Sequence, residues 1–354
     1  MNYKATISDI ARELNITPAT VSRALNNHPG ISEKTKKSVH QTANRLQYKR
    51  NKIASSLRSG KSHVIGVLVP SVEINFFGSV IHGIESMANV NDYTVLIYQS
   101  NETRDYELKG LETFLGARVD GILASIAKGT RDYAHFIDIR QRGVPLVFFD
   151  RANDELGIPS VVIDDFKGAF MATEHLIRQG YRRIAHISGQ EYIKVFNDRL
   201  KGYKEALTAH HIPVDESLIY SGQVSVESGM EAIRHFLSLS QPPDAVFAVE
   251  DFTALGAIRE LKQHNILIPE EFGVIGFANE SFGEYITPGL STIDQQTIEM
   301  GKESFRLLLD LIQKKEIGRA RKNKVVLEPV PVYRGSSVRE ESEVLGGVRY
   351  NSIS

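Results

Sequence analysis

Between residues 6 and 48 the apolar positions recur every three to four residues in three short runs. Thr6-Ile7-Ser8-Asp9 has the form of a capping box, and Ile7, Ile10, Ala11 and Leu14 then share one helical face. Asn15 interrupts the run. Thr17 is placed to cap a second helix with Pro18 at its first position, where a missing N–H costs nothing. Val21, Ala24 and Leu25 form the inner face of that helix. Asn26-Asn27-His28-Pro29-Gly30 reads as a loop, and Ser32 opens a third helix through Val39, Ala43 and Leu46. Two helices joined at Asn15–Ile16 and followed by a third predict an all-α helix-turn-helix head.

From Val64 onward the period changes. Short apolar runs are expected as strands at 64–70, 93–99, 121–126, 145–150, 160–163, 183–188, 245–249 and 274–277. Between and after them, amphipathic stretches predict helices at about 77–90, 104–116, 131–142, 166–179, 199–210, 226–238, 252–264 and 295–314. Continuous apolar strands alternating with helices imply parallel sheets covered on both faces, an α/β doubly wound core. About 280 residues is large for one such sheet, so two lobes are expected. The last stretch, 341–354, has no period and reads as a loose tail.

Composition adds three bounds. Hydrophobic residues make up 42% of the 354, which places the chain among globular proteins. There is no Cys, so disulfides, zinc-thiolate sites and Cys nucleophiles are excluded. No apolar run approaches the ~18–20 residues of a membrane span, and MNYKATISDIAREL lacks a signal-peptide core, so a cytoplasmic, nucleoid-associated location with no membrane contact is expected.

Charge changes the picture more. The formal net charge is -1. Residues 1–61 hold twelve Lys or Arg against three acids, whereas the remaining 293 hold 30 basic and 40 acidic residues. A surplus of nine positive charges on residues 1–61 points to a polyanionic partner for that part alone.

Catalytic signatures are missing from the sequence. His210 and His211 are adjacent, point about 100° apart on a helix and make no two-ligand clip. There is no Gly-x-Ser-x-Gly elbow, no phosphate-binding loop and no complete dinucleotide fingerprint. Asp164-Asp165 reads as the cap of the helix starting at Phe166 rather than as paired catalytic carboxylates. Neither metal, cofactor nor enzymatic activity is expected.

The run TISDIARELNITPATVSRALNNHPGIS, continuing through the RNKIASSLRSG linker to PVYRGSS, resembles the lactose/purine repressor (LacI/GalR) family of bacterial transcription factors over nearly the whole chain. A helix-turn-helix enters the major groove by the N-terminal end of its second helix. Arg23 is the only long cation on that helix, and Arg bidentate to guanine is the commonest specific base contact. The resemblance implies base contacts for Pro18, Ala19 and Arg23, the first two by apolar contact only. Thr17, Thr20, Ser22 and Asn26 suit phosphate oxygens, and Thr6 joins the DNA-facing set. The resemblance further implies a hinge helix over 51–58. There Asn51 lies at its start, Ala54 lets two copies approach, and Leu57 is a wedge for the minor groove.

For the core the resemblance implies a two-lobed periplasmic-binding-protein-like fold with an effector between the lobes. Its implied organisation is 1–50 head, 51–61 hinge and 62–340 effector-binding and dimerisation core. Lobe one spans about 62–161 and 291–322, lobe two about 163–289 and 323–340. Ligands of such sheets sit at the carboxyl ends of the strands. Phe76 and Phe77 either stack on the effector or pack the lobe core. Ser125 and Asp150 end strands; Asp150 accepts sugar hydroxyls, pairs with Arg151 or caps a helix. Arg199 matches the family's effector-binding arginine, and Val224 and Asp251 occupy further pocket positions. Val224, Ile193 and Val195 are apolar, which disfavours a purine. In VIGFANESF, Ala278 stands where the family usually has Asp. Either Asn279 takes over or the pocket binds something other than a simple pyranose. The function implied is a ligand-regulated transcription factor, by family default a repressor. It would bind a pseudo-palindromic operator as a homodimer and respond to a small molecule, a sugar or sugar derivative. The alternatives are a cytoplasmic solute-binding protein and a cleft enzyme.

Overall fold

A computed structural model describes residues 5–48, 61–313 and 323–339, and the chain divides into two units at Ser62/His63. The boundary falls where the charge excess ends. Asn51, Ala54 and Leu57, and the tail 341–354, lie outside the described residues.

The first unit holds α1 (Ile7–Leu14), α2 (Pro18–Leu25) and α3 (Glu33–Arg45). Thr6 and Asp9 form the capping box reciprocally, and Asn15 ends α1 in the left-handed region at φ 50°, where Asn is tolerated. Thr17 and Ser32 cap α2 and α3 by accepting from Thr20 and Thr35 backbone N–H groups. Ile10, Ala11, Val21, Ala24, Val39 and Ala43 form a small buried core shared by all three helices.

The second unit contains two parallel sheets. Its first lobe is built on β1 (Val64–Val69), β2 (Thr94–Gln99), β3 (Gly121–Ala124), β4 (Leu146–Phe149) and β5 (Ser160–Ile163). The order is β2-β1-β3-β4-β5, doubly wound. Alternate residues serve opposite faces. Val147 and Phe149 pack toward α4 (Asn75–Val90), while Leu146 and Phe148 pack toward α5 (Arg104–Gly116) and α6 (Ala134–Gln141). The second lobe carries β6 (Ile184–Ser188), β7 (Ile219–Ser221), β8 (Ala245–Ala248) and β9 (Gly273–Ile275) in the order β7-β6-β8-β9. Its faces are covered by α7 (Asp165–Arg178) with α8 (Lys194–Ala209) and by α9 (Val226–Leu237) with α10 (Asp251–Gln263).

Three passages of chain join the lobes. β5 leads directly into α7; β10 (Thr292–Asp294) leads to α11 (Thr297–Ile312), which packs on the first sheet; and the last passage follows β11 (Lys324–Leu327). β11 pairs in parallel with β5 at the edge of the first sheet, and β12 (Val330–Val332) then pairs with β10. This corrects one expected boundary: the chain returns to lobe two after Leu327, not after about 322. Val325 and Leu327 pack on the first lobe while Val326 is half exposed, so a four-residue edge strand leaves little apolar pattern. α8 also begins five residues earlier than the expected 199, which puts Arg199 inside the helix.

Candidate functional site

Carboxyl ends of strands from both sheets meet at one cleft. From lobe one come Phe76 and Phe77 in the first turn of α4, Ser125 after β3 and Asp150 after β4. From lobe two come residues 193–199 in the first two turns of α8, Glu250 after β8 and residues 278–280 after β9. Phe76, Phe77, Asp150 and Arg199 line the narrow centre of the cleft together with Arg151, Glu250 and Glu280. Two hollows, each of about 220 Å³, flank that centre.

Arg199 is 3% exposed and fully engaged. Its Nε and Nη2 both lie 2.8 Å from Asp165 Oδ1. Nη1 donates to the Val249 carbonyl at 2.7 Å, Nη2 to Gln295 at 3.3 Å, and the guanidinium lies 3.7 Å over the Phe277 ring. Burial pushes the Asp165 carboxyl up to about 6, against the pull of Arg199. Residue Asp165 sits 34 positions away, so no local pattern announces the pair.

On the opposite wall Ser125 donates to Asp150 at 3.2 Å, and Asp150 stands 3.8 Å from Arg151 Nε. Arg151 donates twice to Glu102, at 3.0 and 2.8 Å, and lies over the Phe77 ring. Phe76 and Phe77 meet edge to face at 5.0 Å and belong to the buried core of lobe one while also lining the cleft. The rings thus pack the lobe core and at the same time face the cleft.

Val224, Asp251 and Asn279 are not at the centre. Val224 packs beside a small apolar cluster of Ile193, Val195, Phe196 and Val249 on the second lobe. The Asp251 side chain is turned inward, 0% exposed, accepting from the Glu280 backbone N–H at 2.7 Å and from the Thr292 hydroxyl at 2.7 Å. The Asn279 amide donates to Asp294 at 2.9 Å and accepts from Arg334 at 3.0 Å. Ala278 sits at φ 132° and Asn279 at φ 53°, conformations that favour glycine. The turn they make delivers Glu280 to the cleft instead. Its carboxylate accepts from the Asn75 side chain and the Phe76 backbone N–H, at an α4 N-terminus that Ile74 has no side chain to cap.

The strand-end rule that selected Ser125 and Asp150 also selects Glu250, two residues after β8, yet the resemblance favoured its neighbour Asp251. Glu250 is half-buried, and burial raises its pKa against nearby Lys128, Arg199 and Arg151. Two cations of lobe one reach across the cleft. Arg131 lies 3.4 Å over the Tyr192 ring and Lys128 5.6 Å from the Phe196 ring. Such contacts strengthen when desolvated.

In the head, Thr17, Pro18, Ala19, Arg23 and Asn26 are exposed on one side of α2, as is Thr6 beside α1; Thr20 and Ser22 are half-buried. The Thr17 hydroxyl is shared with the Thr20 hydroxyl at 2.9 Å, and Asn26 donates to the Ser22 carbonyl at 2.8 Å. Among the described residues no carboxylate lies within 4.0 Å of the Arg23 guanidinium.

The sequence pattern of bacterial regulatory proteins, lacI family, matches residues 6–51, and that of a periplasmic binding protein-like domain matches 173–337. Catabolite control protein A of Priestia megaterium is 34% identical over 314 residues, covering 88% of this chain and 94% of that protein. The chain belongs to the LacI family. The transcriptional repressor CytR of Escherichia coli K12 is likewise 34% identical, over 89% of this chain and 92% of its own. Among solved structures, a complex of the transcriptional regulator CelR with cellobiose is 27% identical with TM-score 0.71, covering 94% of this chain and all of that one. This LacI-family protein is thus a DNA-binding transcription regulator with a helix-turn-helix head and a two-lobed periplasmic-binding-protein-like core. Among its described residues no helix is long and apolar enough to cross a membrane, and no group of three His, Cys, Asp or Glu could hold a metal ion.

One consequence concerns Asp251. Burial raises its carboxyl to about 7, outweighing the Glu280 and Thr292 hydrogen bonds that lower it. The folded state then holds a proton that the unfolded chain releases near pH 4, so this group's contribution to stability declines as pH rises to 7 and is flat beyond. Asp251→Asn should gain on the wild type by roughly 2–3 kcal/mol between pH 5 and 7.5 in urea unfolding. Parallel pH profiles for the two proteins would contradict it.

Proposed function

We propose that this protein represses transcription by binding a pseudo-palindromic operator as a homodimer, with operator affinity set by a small carbohydrate-like effector held between the core lobes. The observation that carries this reading is the convergence of Phe76, Phe77, Asp150 and Arg199 on one cleft in a chain that also bears an exposed Arg23 on its second helix. The carbohydrate class is favoured by aromatic rings beside carboxylates and a guanidinium, a set that suits the apolar face and hydroxyls of a sugar, and by the cellobiose bound to a structural neighbour. We assign DNA contact to Thr6, Thr17, Pro18, Ala19, Thr20, Ser22, Arg23 and Asn26. Effector contact falls to Phe76, Phe77, Asp150 and Arg199, with Ser125 acting through Asp150; Val224 and Asp251 support the walls, and Asn279 holds the turn that presents Glu280.

An effector shifts the protein only by its differential affinity for two lobe arrangements. The contacts it must outweigh or reinforce are those crossing the cleft: Arg131 on Tyr192, Lys128 on Phe196, and Glu280 at the start of α4. Gel shift on operator fragments with and without candidate sugars tests the reading. A ligand that binds without changing operator affinity would indicate a solute-binding protein, and turnover would indicate an enzyme. Arg23→Ala should lose about 1–3 kcal/mol of discrimination between operator and scrambled DNA per contact, with nonspecific, salt-sensitive binding retained. Unchanged discrimination would remove Arg23 from the base-reading set.

A further inference from the structure

The two openings of the cleft carry opposite charge. On one side Asp150, Asp154, Asp164, Asp165 and Asp198 outnumber Lys194 and Lys324. On the other, Lys128, Arg131, Arg151 and Lys194 stand against Glu155 alone.

Most of these charges are already committed. At the acidic opening, Asp154 is held by Lys324 at 2.8 Å, Asp165 by Arg199, Asp198 by Lys194, and Asp164 caps α7. At the basic opening, Arg151 is held by Glu102. Two cations there make no hydrogen bond to a carboxylate among the described residues. Among the described residues Arg131 donates only to the Lys128 and Thr130 carbonyls, at 2.7 and 3.2 Å. Among the described residues no carboxylate lies within 4.0 Å of it. The Lys128 ammonium makes a long ion pair with Glu102 at 3.9 Å, beyond hydrogen-bond reach, while that carboxylate takes the Lys128 backbone N–H and Arg151. Burial, then repulsion from Arg151, lowers the Lys128 pKa, outweighing the attraction of Glu250, Glu102 and Asp150.

A half-buried ammonium beside a second cation is a costly arrangement in the free protein, and an anion at this opening would offset the cost. Such an anion would also touch both lobes, since Lys128, Arg131 and Arg151 belong to the first and Tyr192 and Lys194 to the second. Toward the interior the hollow leads past Arg151 to Asp150 and Glu250, carboxylates able to accept from hydroxyls.

We propose that the effector is an anionic polyol, a sugar acid or a sugar phosphate, whose charged group is held by Lys128 and Arg131 while its hydroxyls reach Asp150 and Glu250. The inference rests on the cleft being the effector site.

The test is calorimetric titration of the full-length protein with matched sets: glucuronate, glucose 6-phosphate and glucose; galacturonate, galactose 1-phosphate and galactose; ribose 5-phosphate and ribose. At least one anionic member should bind about tenfold or more tightly than its neutral counterpart. Its affinity should fall as KCl is raised. Lys128→Met should erase that preference and Lys128→Arg should retain it, with thermal unfolding confirming that both variants fold. Preference for the uronates assigns a carboxylate, and preference for the phosphates a phosphoryl group. Neutral sugars binding as tightly as their anionic partners would overturn the inference, as would an anion preference that survives in Lys128→Met/Arg131→Met or an anionic set that does not bind at all. The proposed function stands if a neutral sugar binds and alters operator affinity. It falls together with the inference only if no member binds and operator affinity ignores them all.

Discussion

Arg199→Ala should lose the effector response entirely and also destabilise the core by about 3–5 kcal/mol, the range for removing one partner of a buried ion pair. The reason is Asp165. With the guanidinium gone, a carboxyl already lifted to about 6 by burial has neither charge nor donor opposite it, and the Val249 carbonyl loses its donor. Arg199→Ala/Asp165→Asn separates the two roles. The double variant should recover much of the stability, because no unpaired buried charge remains, yet it should stay unresponsive. Urea unfolding measures the first quantity and operator gel shift with the sugar selected by titration measures the second. A response that persists in the double variant would move the effector contact away from Arg199. A single variant as stable as the wild type would mean that water reaches Asp165 more readily than the cleft walls allow.

Gly301→Val should cost about 3 kcal/mol or more, at the upper end of overpacking substitutions. Where α4 crosses α11, Gly83 and Gly301 face each other. A Cβ on Gly301 would stand 2.1 Å from the Val80 carbonyl oxygen, and one on Gly83 2.2 Å from that of Ile298. Both obstacles are backbone, so no side chain can turn aside. α11 is the helix that the chain returns to lobe one, and it contributes Met300, Phe305 and Leu308 to the same buried cluster as Phe76 and Phe77. Forcing the helices apart should therefore disturb the cleft wall as well. An unfolding midpoint equal to the wild type would show that the crossing relaxes without loss.

Some of this was legible residue by residue. Thr6, Thr17 and Ser32 announce three helix starts because capping is a local act between residues three apart. The interior strands of both sheets are legible because burial on both faces leaves an unbroken apolar run. β7, β11 and β12 were missed because they are short and partly exposed, and β10 because only Ile293 of its three residues is apolar, so few positions carry the signal. In the cleft, Asp150 and Arg199 were found by strand-end position and resemblance. Glu250 and Glu280 were not, since each lies beside a residue that the resemblance selected.

By itself the sequence determined the two-part construction: a basic helical head, and an acidic core of alternating strands and helices whose family is carried by its motifs. Periodicity, capping and charge segregation are properties of neighbours along the chain, so they survive without coordinates. Tertiary structure alone decided which of two adjacent residues faces the cleft, as with Glu250 and Asp251. It also decided that Arg199 is anchored by a residue 34 positions away, that the chain leaves lobe one only after β11, and that two cations at one opening lack a carboxylate within hydrogen-bond reach among the described residues. Each depends on desolvation and pairing between walls distant in sequence. Those terms exist only once the lobes have assembled around the cleft.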